Sequence, residues 1–120
     1  MPSAVSEGMK HQDSRIQGLI TACPVIETYL DLSEGPNFIF SQVGVLLRDR
    51  KLNPAAETAV YDYLNRLGGD DRETQNLLVV NVLEILGDTP ESSALARDKL
   101  AGNALLLFER VLRGWHLGRN

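Results

Sequence analysis

Apolar residues recur along this chain at three- and four-residue intervals, separated by short breaks rich in glycine, proline and small polar residues. The densest apolar run is residues 76–87, N-L-L-V-V-N-V-L-E-I-L-G. In a helix, about 100° per residue gathers Asp70, Thr74, Asn81, Glu84 and Asp88 onto one narrow polar stripe, interrupted only by Leu77. Every other face is Leu, Val or Ile. A helix apolar around most of its circumference must be covered from several sides, so this one belongs at the centre of a bundle.

The flanking pattern supplies the cover. Residues 1–12 carry few large apolar groups and read as a disordered leader, leaving 13–117 as one helical domain. With Asp13 or Ser14 as N-cap, Ile16, Leu19, Ile20 and Cys23 recur at helical spacing; Pro24 then kinks the helix or opens a new one, with Val25, Ile26, Tyr29 and Leu30 continuing the apolar face. Ser33-Glu34-Gly35-Pro36 is a turn signal. A second helix over 37–51 turns Phe38, Ile39, Phe40, Val43, Leu46 and Leu47 to the core. Asn53-Pro54 starts a third, lined by Ala56, Val60, Tyr63, Leu64 and Leu67 and stopped at Gly68-Gly69. Asp70 and Glu73 have capping-box spacing for the central helix, and Gly87 ends it. Thr89-Pro90 opens a short helix with Ala94, Leu95 and Leu100 inward. After Gly102-Asn103, the last helix faces Ala104, Leu105, Phe108, Val111, Leu112 and Trp115 inward, with a frayed tail from Leu117. The fold class is therefore all-α, an irregular bundle of about five to six helices, with HEAT-like stacked hairpins as its ordered variant.

A chain of 120 residues holds one domain with a sufficient core. Charge adds a regional bias. Residues 57–98 carry nine acids against three bases, for a net charge of -6, whereas residues 1–56 and 99–120 sum to -1 and +3. Such an acidic stretch repels phosphate backbones and attracts basic partners, so no nucleic-acid partner is expected. The bland alternative is a solvated face. One cysteine rules out an intrachain disulfide and fits a reducing, cytoplasmic setting. Ile20-Thr21-Ala22-Cys23 resembles a lipobox, but its preceding apolar stretch is short and interrupted, so Cys23 reads as a packed helix cysteine and no membrane partner is expected.

Chemistry is sparse. His11 and His116 have no metal-ligand partner three or four residues on, and Gly87 stands where a Glu84-x-x-His element would need its histidine. No phosphate-binding glycine motif occurs, so no catalytic residue, cofactor or metal is assigned. Asn81, amid apolar neighbours, needs hydrogen-bond partners; it either bonds across helices or joins Glu84 and Asp88 in a binding stripe.

The run over 76–88, followed by a Leu-rich helix ending in Trp115, resembles a family of small all-α bacterial proteins. Some of these sit beside polymorphic-toxin genes as candidates for immunity-type proteins. The resemblance spans residues 26–116 and implies a compact helical domain that acts by binding a protein. The primary expectation is thus a non-catalytic protein-binding domain whose partner, such as a basic toxin domain, docks on Asp70, Asn81, Glu84 and Asp88. The alternative is a small-molecule sensor or an enzyme without a recognised motif, its pocket built from Phe38, Phe40, Tyr63 and Trp115.

Overall fold

The computed structural model describes residues 12–118, with side chains through residue 114. The expectations for the leader, for His11, for the Trp115 and His116 side chains and for the last two residues lie outside what is described. Helix α1 is Ser14–Ala22, followed by a 3-10 helix at Pro24–Tyr29; α2 is Pro36–Arg48 and α3 is Pro54–Leu67. A central rod then runs through α4 (Arg72–Leu78), a π-helical stretch (Val79–Leu83) and α5 (Glu84–Leu86), before α6 (Pro90–Lys99) and α7 (Gly102–Gly118). No strand occurs among the described residues, and the α-helices form an irregular bundle.

The central rod packs on α2, α3 and α7. It is therefore covered by helices from before and after it in the chain, which is a bundle and not a linear stack of hairpins. Leu78, Val82, Leu83 and Leu86 are fully buried from the rod, against Ile39, Phe40 and Val43 of α2, Val60 and Leu64 of α3, and Phe108 of α7 in one core. Three caps sit where the sequence places them. Asp13 accepts from the Arg15 N–H, Asn53 from the Ala56 N–H at 2.8 Å, and Thr89 from the Ser92 N–H at 3.0 Å. For the central rod the cap is Asp71, one residue later than the capping-box spacing suggests: its carboxylate accepts from the Thr74 N–H at 2.8 Å, while Asp70 accepts from the Asp71 N–H.

Several apolar residues expected inside are outside. Pro24 begins a 3-10 helix, and with three residues per turn that segment cannot continue a broad 3.6-period face. Of its side chains only Ile26 is buried, and Val25 and Tyr29 are exposed. Phe38 and Phe40 are two residues apart, about 200° around a helix, so only one can face the core. Phe40 does so and Phe38 does not. In α6 the inward positions are Ser92 and Ala96, four apart, which leaves Ala94 exposed. The Ser92 hydroxyl donates to the Leu86 carbonyl at 2.6 Å, tying α6 to the end of the central rod.

Two close approaches need glycine. A Cβ on Gly44 of α2 would lie 3.0 Å from the Asn81 carbonyl oxygen and 3.2 Å from Ile85, so α2 and the π stretch meet at that point. A Cβ on Gly68 would come within 2.7 Å of the Ala104 Cα, where the end of α3 abuts the start of α7.

Candidate functional site

The π stretch rewrites the polar stripe. Its wider turn, closed by the Glu84 N–H donating to the Val79 carbonyl five residues back, offsets every residue after it from the regular 100° progression. Asn81 falls inside this stretch and is buried. Its Nδ2 donates to Asn37 Oδ1 at 2.7 Å and to the Leu77 carbonyl at 3.1 Å, while its Oδ1 accepts from the Ser41 hydroxyl at 3.0 Å. The residue thus bonds across to α2, the packing alternative read from the sequence. Its amide also reaches the carbonyl four residues back, the one a regular α-helix would give to the Asn81 N–H, and a side chain in the ladder is one of the recognised causes of helix distortion.

The other stripe residues are dispersed. Asp70 sits at the rod's N-terminal end in a polar depression with Asp13, Arg15, Asp71 and Glu73. Asp88 lies beyond the opposite end of the rod, which is about 22 Å long at ~1.5 Å per residue, and pairs there with Arg48 at 3.0 Å. Glu84 edges a third place, a depression of about 390 Å³ with Val79, Leu107, Arg110 and Val111. Of the nine acids in residues 57–98, Glu57 is withdrawn altogether, buried in α3.

Glu57 is held by Arg50, through Nε at 2.7 Å and Nη2 at 3.2 Å. Arg50 ends the helix begun at Pro36 with φ 55°, the sole positive φ at a non-glycine among the described residues. The Arg50 N–H bonds the Leu47 carbonyl and the Lys51 N–H bonds the Leu46 carbonyl at 2.9 Å. That is a Schellman closure, which ordinarily selects glycine at the left-handed position. Here the bidentate bond to a buried carboxylate offsets the strain. Tyr61, one turn on from Glu57, is fully buried with no hydrogen-bond partner for its hydroxyl among the described residues, and burial pushes its phenol far above the ordinary tyrosine range.

A further surface feature is an open groove of about 320 Å³ between the 3-10 helix and the outer face of α2, lined by Tyr29, Phe38, Ser41, Gln42, Val45 and Leu46. Tyr29, Phe38 and Val45 are 44%, 49% and 37% exposed, so three of the large apolar side chains that reach solvent are gathered here instead of scattered. The walls are tied together, since Gln42 Oε1 accepts from the Asp31 N–H at 3.0 Å. The 3-10 helix and the turn after it, residues 24–35, hold Glu27, Asp31 and Glu34 and no lysine or arginine, and α2 carries no charged residue before Arg48. All three acids are exposed. The Ser33 hydroxyl and N–H donate to the Asp31 carboxylate and hold its pKa below the usual carboxylate range, so it is charged at neutral pH. At the far end of α2, Arg48 is neutralised by Asp49 and Asp88, both at 3.0 Å.

The aromatic pocket considered from sequence is divided by the fold. Phe38 stands in the groove, Phe40 is sealed in the core, and the Tyr63 hydroxyl donates to the Arg15 carbonyl at 2.7 Å. Among the described residues no group of three or more His, Cys, Asp or Glu is arranged to hold a metal ion, and no helix is long and apolar enough to cross a membrane. Cys23 is buried, its thiol directed to the Ala56 carbonyl at 3.7 Å, and burial raises its pKa away from thiolate chemistry. No family model matches the chain, and no curated protein or solved structure shows a significant match to it.

Proposed function

We propose that this domain is a non-catalytic protein-binding module that receives a basic partner on the groove between the 3-10 helix and α2. One observation carries the reading: apolar side chains the core does not use are gathered at an open groove whose 3-10 side carries the exposed acids Glu27 and Asp31 and no base. Apolar contact at Phe38, Tyr29 and Val45 supplies lasting affinity, while Glu27 and Asp31 steer the approach of positive charge. A basic toxin domain, as the resemblance to immunity-type proteins implies, is one partner of this kind.

The test compares two surfaces on the same folded protein. A partner isolated on immobilised full-length chain is purified and its affinity measured for wild type, for Phe38→Asp, and for Glu84→Lys with Asp88→Lys. Phe38→Asp should weaken binding by about tenfold or more, as loss of a central apolar anchor does, and the double lysine variant should bind nearly as wild type. A partner that ignores Phe38→Asp and loses affinity with the lysine variant would return the interface to the central rod.

A further inference from the structure

We infer that the element of the partner that enters the groove is a single basic amphipathic α-helix. This rests on the groove being the binding face and adds the conformation of what it takes. The α2 wall presents Phe38, Ser41, Gln42 and Val45, the i, i+3, i+4 and i+7 positions of two consecutive turns, about 10 Å of contact along the axis at ~1.5 Å per residue. A helix laid beside them meets this row with its own side chains at the same spacing, ridge against groove.

Hydrogen bonding separates a helix from an extended segment. The backbone of α2 is committed to its own ladder, and no strand edge exists among the described residues to pair with an incoming strand. Part of the polar lining is also engaged: Ser41 donates to Asn81, and Gln42 Oε1 holds the Asp31 N–H. An extended backbone pressed into the groove would lose its water and regain few partners for its own N–H and C=O groups. A helix arrives with its backbone satisfied and offers side chains alone.

Charge completes the partner's description. With Glu27 and Asp31 exposed on the 3-10 side and Arg48 paired with Asp49 and Asp88, the helix carries apolar residues on one stripe and lysine or arginine on the flank that faces the 3-10 helix. An acidic flank would be repelled from that side.

The experiment is a selection of random displayed peptides, about 16 residues or four helical turns long, on full-length protein, with counter-selection on Phe38→Asp/Val45→Asp. The variant's fold is checked by circular dichroism and melting; if it does not fold, Phe38→Ala/Val45→Ala replaces it. Recovered sequences should space apolar residues three and four apart between lysines and arginines. A synthetic representative should gain helical signal on binding, bind the variant about tenfold or more weakly, and lose affinity as salt rises. Groove-dependent peptides that are proline-rich, acidic or not helical when bound would overturn the helix and leave the groove standing. Peptides that bind wild type and variant alike, or no enrichment at all, would remove the groove itself.

Discussion

Helix α2 has two apolar faces that meet different fates. Its inner face, Ile39, Phe40, Val43, Gly44 and Leu47, is buried against the central rod, with Gly44 allowing close approach and Asn37 and Ser41 joined to Asn81 along the seam. Its outer face carries Phe38 and Val45 into solvent beside Tyr29. The inner residues are explained by folding, because each removes apolar surface from water. The outer ones are not. A folding requirement alone would accept lysine or glutamate at Phe38 and Val45, so their apolarity points to contact with something beyond this chain.

The comparison breaks most directly on the two phenylalanines. Phe40→Ala should cost about 3–5 kcal/mol, from lost burial plus a cavity, while Phe38→Ala should stay within about 0.5 kcal/mol as an exposed change. Urea unfolding of both, at matched m-values, reads the difference. Equal costs would mean the outer face is packed after all, and the groove would lose its standing as a free surface.

At the C-terminal end of α2 the next prediction sets two effects against each other. Arg50→Gly relieves a left-handed strain of about 1–2 kcal/mol but removes charge-assisted bonds of about 1.5–3 kcal/mol and strands the Glu57 carboxylate. The second effect should win by about 1 kcal/mol, so the variant should melt lower than wild type. Arg50→Ala, which loses the bonds and keeps the strain, should melt lower again. If Arg50→Gly stabilises the protein, the Glu57 pair contributes less than the backbone strain.

Asn81→Ala should cost about 1 kcal/mol, at the low end for a buried hydrogen-bonding group. Asn37 is exposed and Ser41 half-buried, so both can turn to water once the amide is gone. The same change should leave groove binding intact, because Asn81 lies under α2. A large binding defect with normal stability would show that the seam shapes the groove.

What was legible in the sequence follows from what a regular period encodes. Asn53, Thr89 and Asp13 are caps by local chemistry, and Ile16, Val60, Leu64 and Phe108 are inside because 3.6-residue spacing holds where their helices are regular. The readings failed where the period changes. A π turn at Val79–Leu83 and a 3-10 helix at Pro24–Tyr29 carry no apolar signature of their own, so the stripe through Asn81 and the inward Tyr29 were projections of a regular helix onto irregular ones. Charge misled for a related reason: composition counts Glu57 and Asp88 as surface acids, whereas one is buried on Arg50 and the other paired with Arg48. The groove had one available signal. Residues 36–48 are apolar on more of their circumference than one core contact needs, with Phe38 about 200° from Phe40.

The smallest effects should come from charge, and they sharpen the contrast between the groove and the central rod. Glu27→Lys with Asp31→Lys reverses exposed charges on the groove's 3-10 side; Glu84→Lys with Asp88→Lys reverses charges at the rod. Neither pair should shift stability by more than about 1 kcal/mol, because exposed charges interact through water, although the first also breaks the exposed bonds of Asp31 to Ser33 and the second the partly exposed bond of Asp88 to Arg48. Association is where they part. With a basic helical peptide from the selection as ligand, the groove pair should slow the on-rate several-fold at low ionic strength, and the effect should shrink as salt shortens the Debye length from about 30 Å at 0.01 M to about 8 Å at 0.15 M. The rod pair should slow it less, and only through the release of Arg48 from Asp88, since Glu84 and Asp88 do not line the groove. Equal slowing by both pairs would mean that attraction acts through the chain's total negative charge alone, and the placement of acids on the groove's walls would then carry no information about the partner's path.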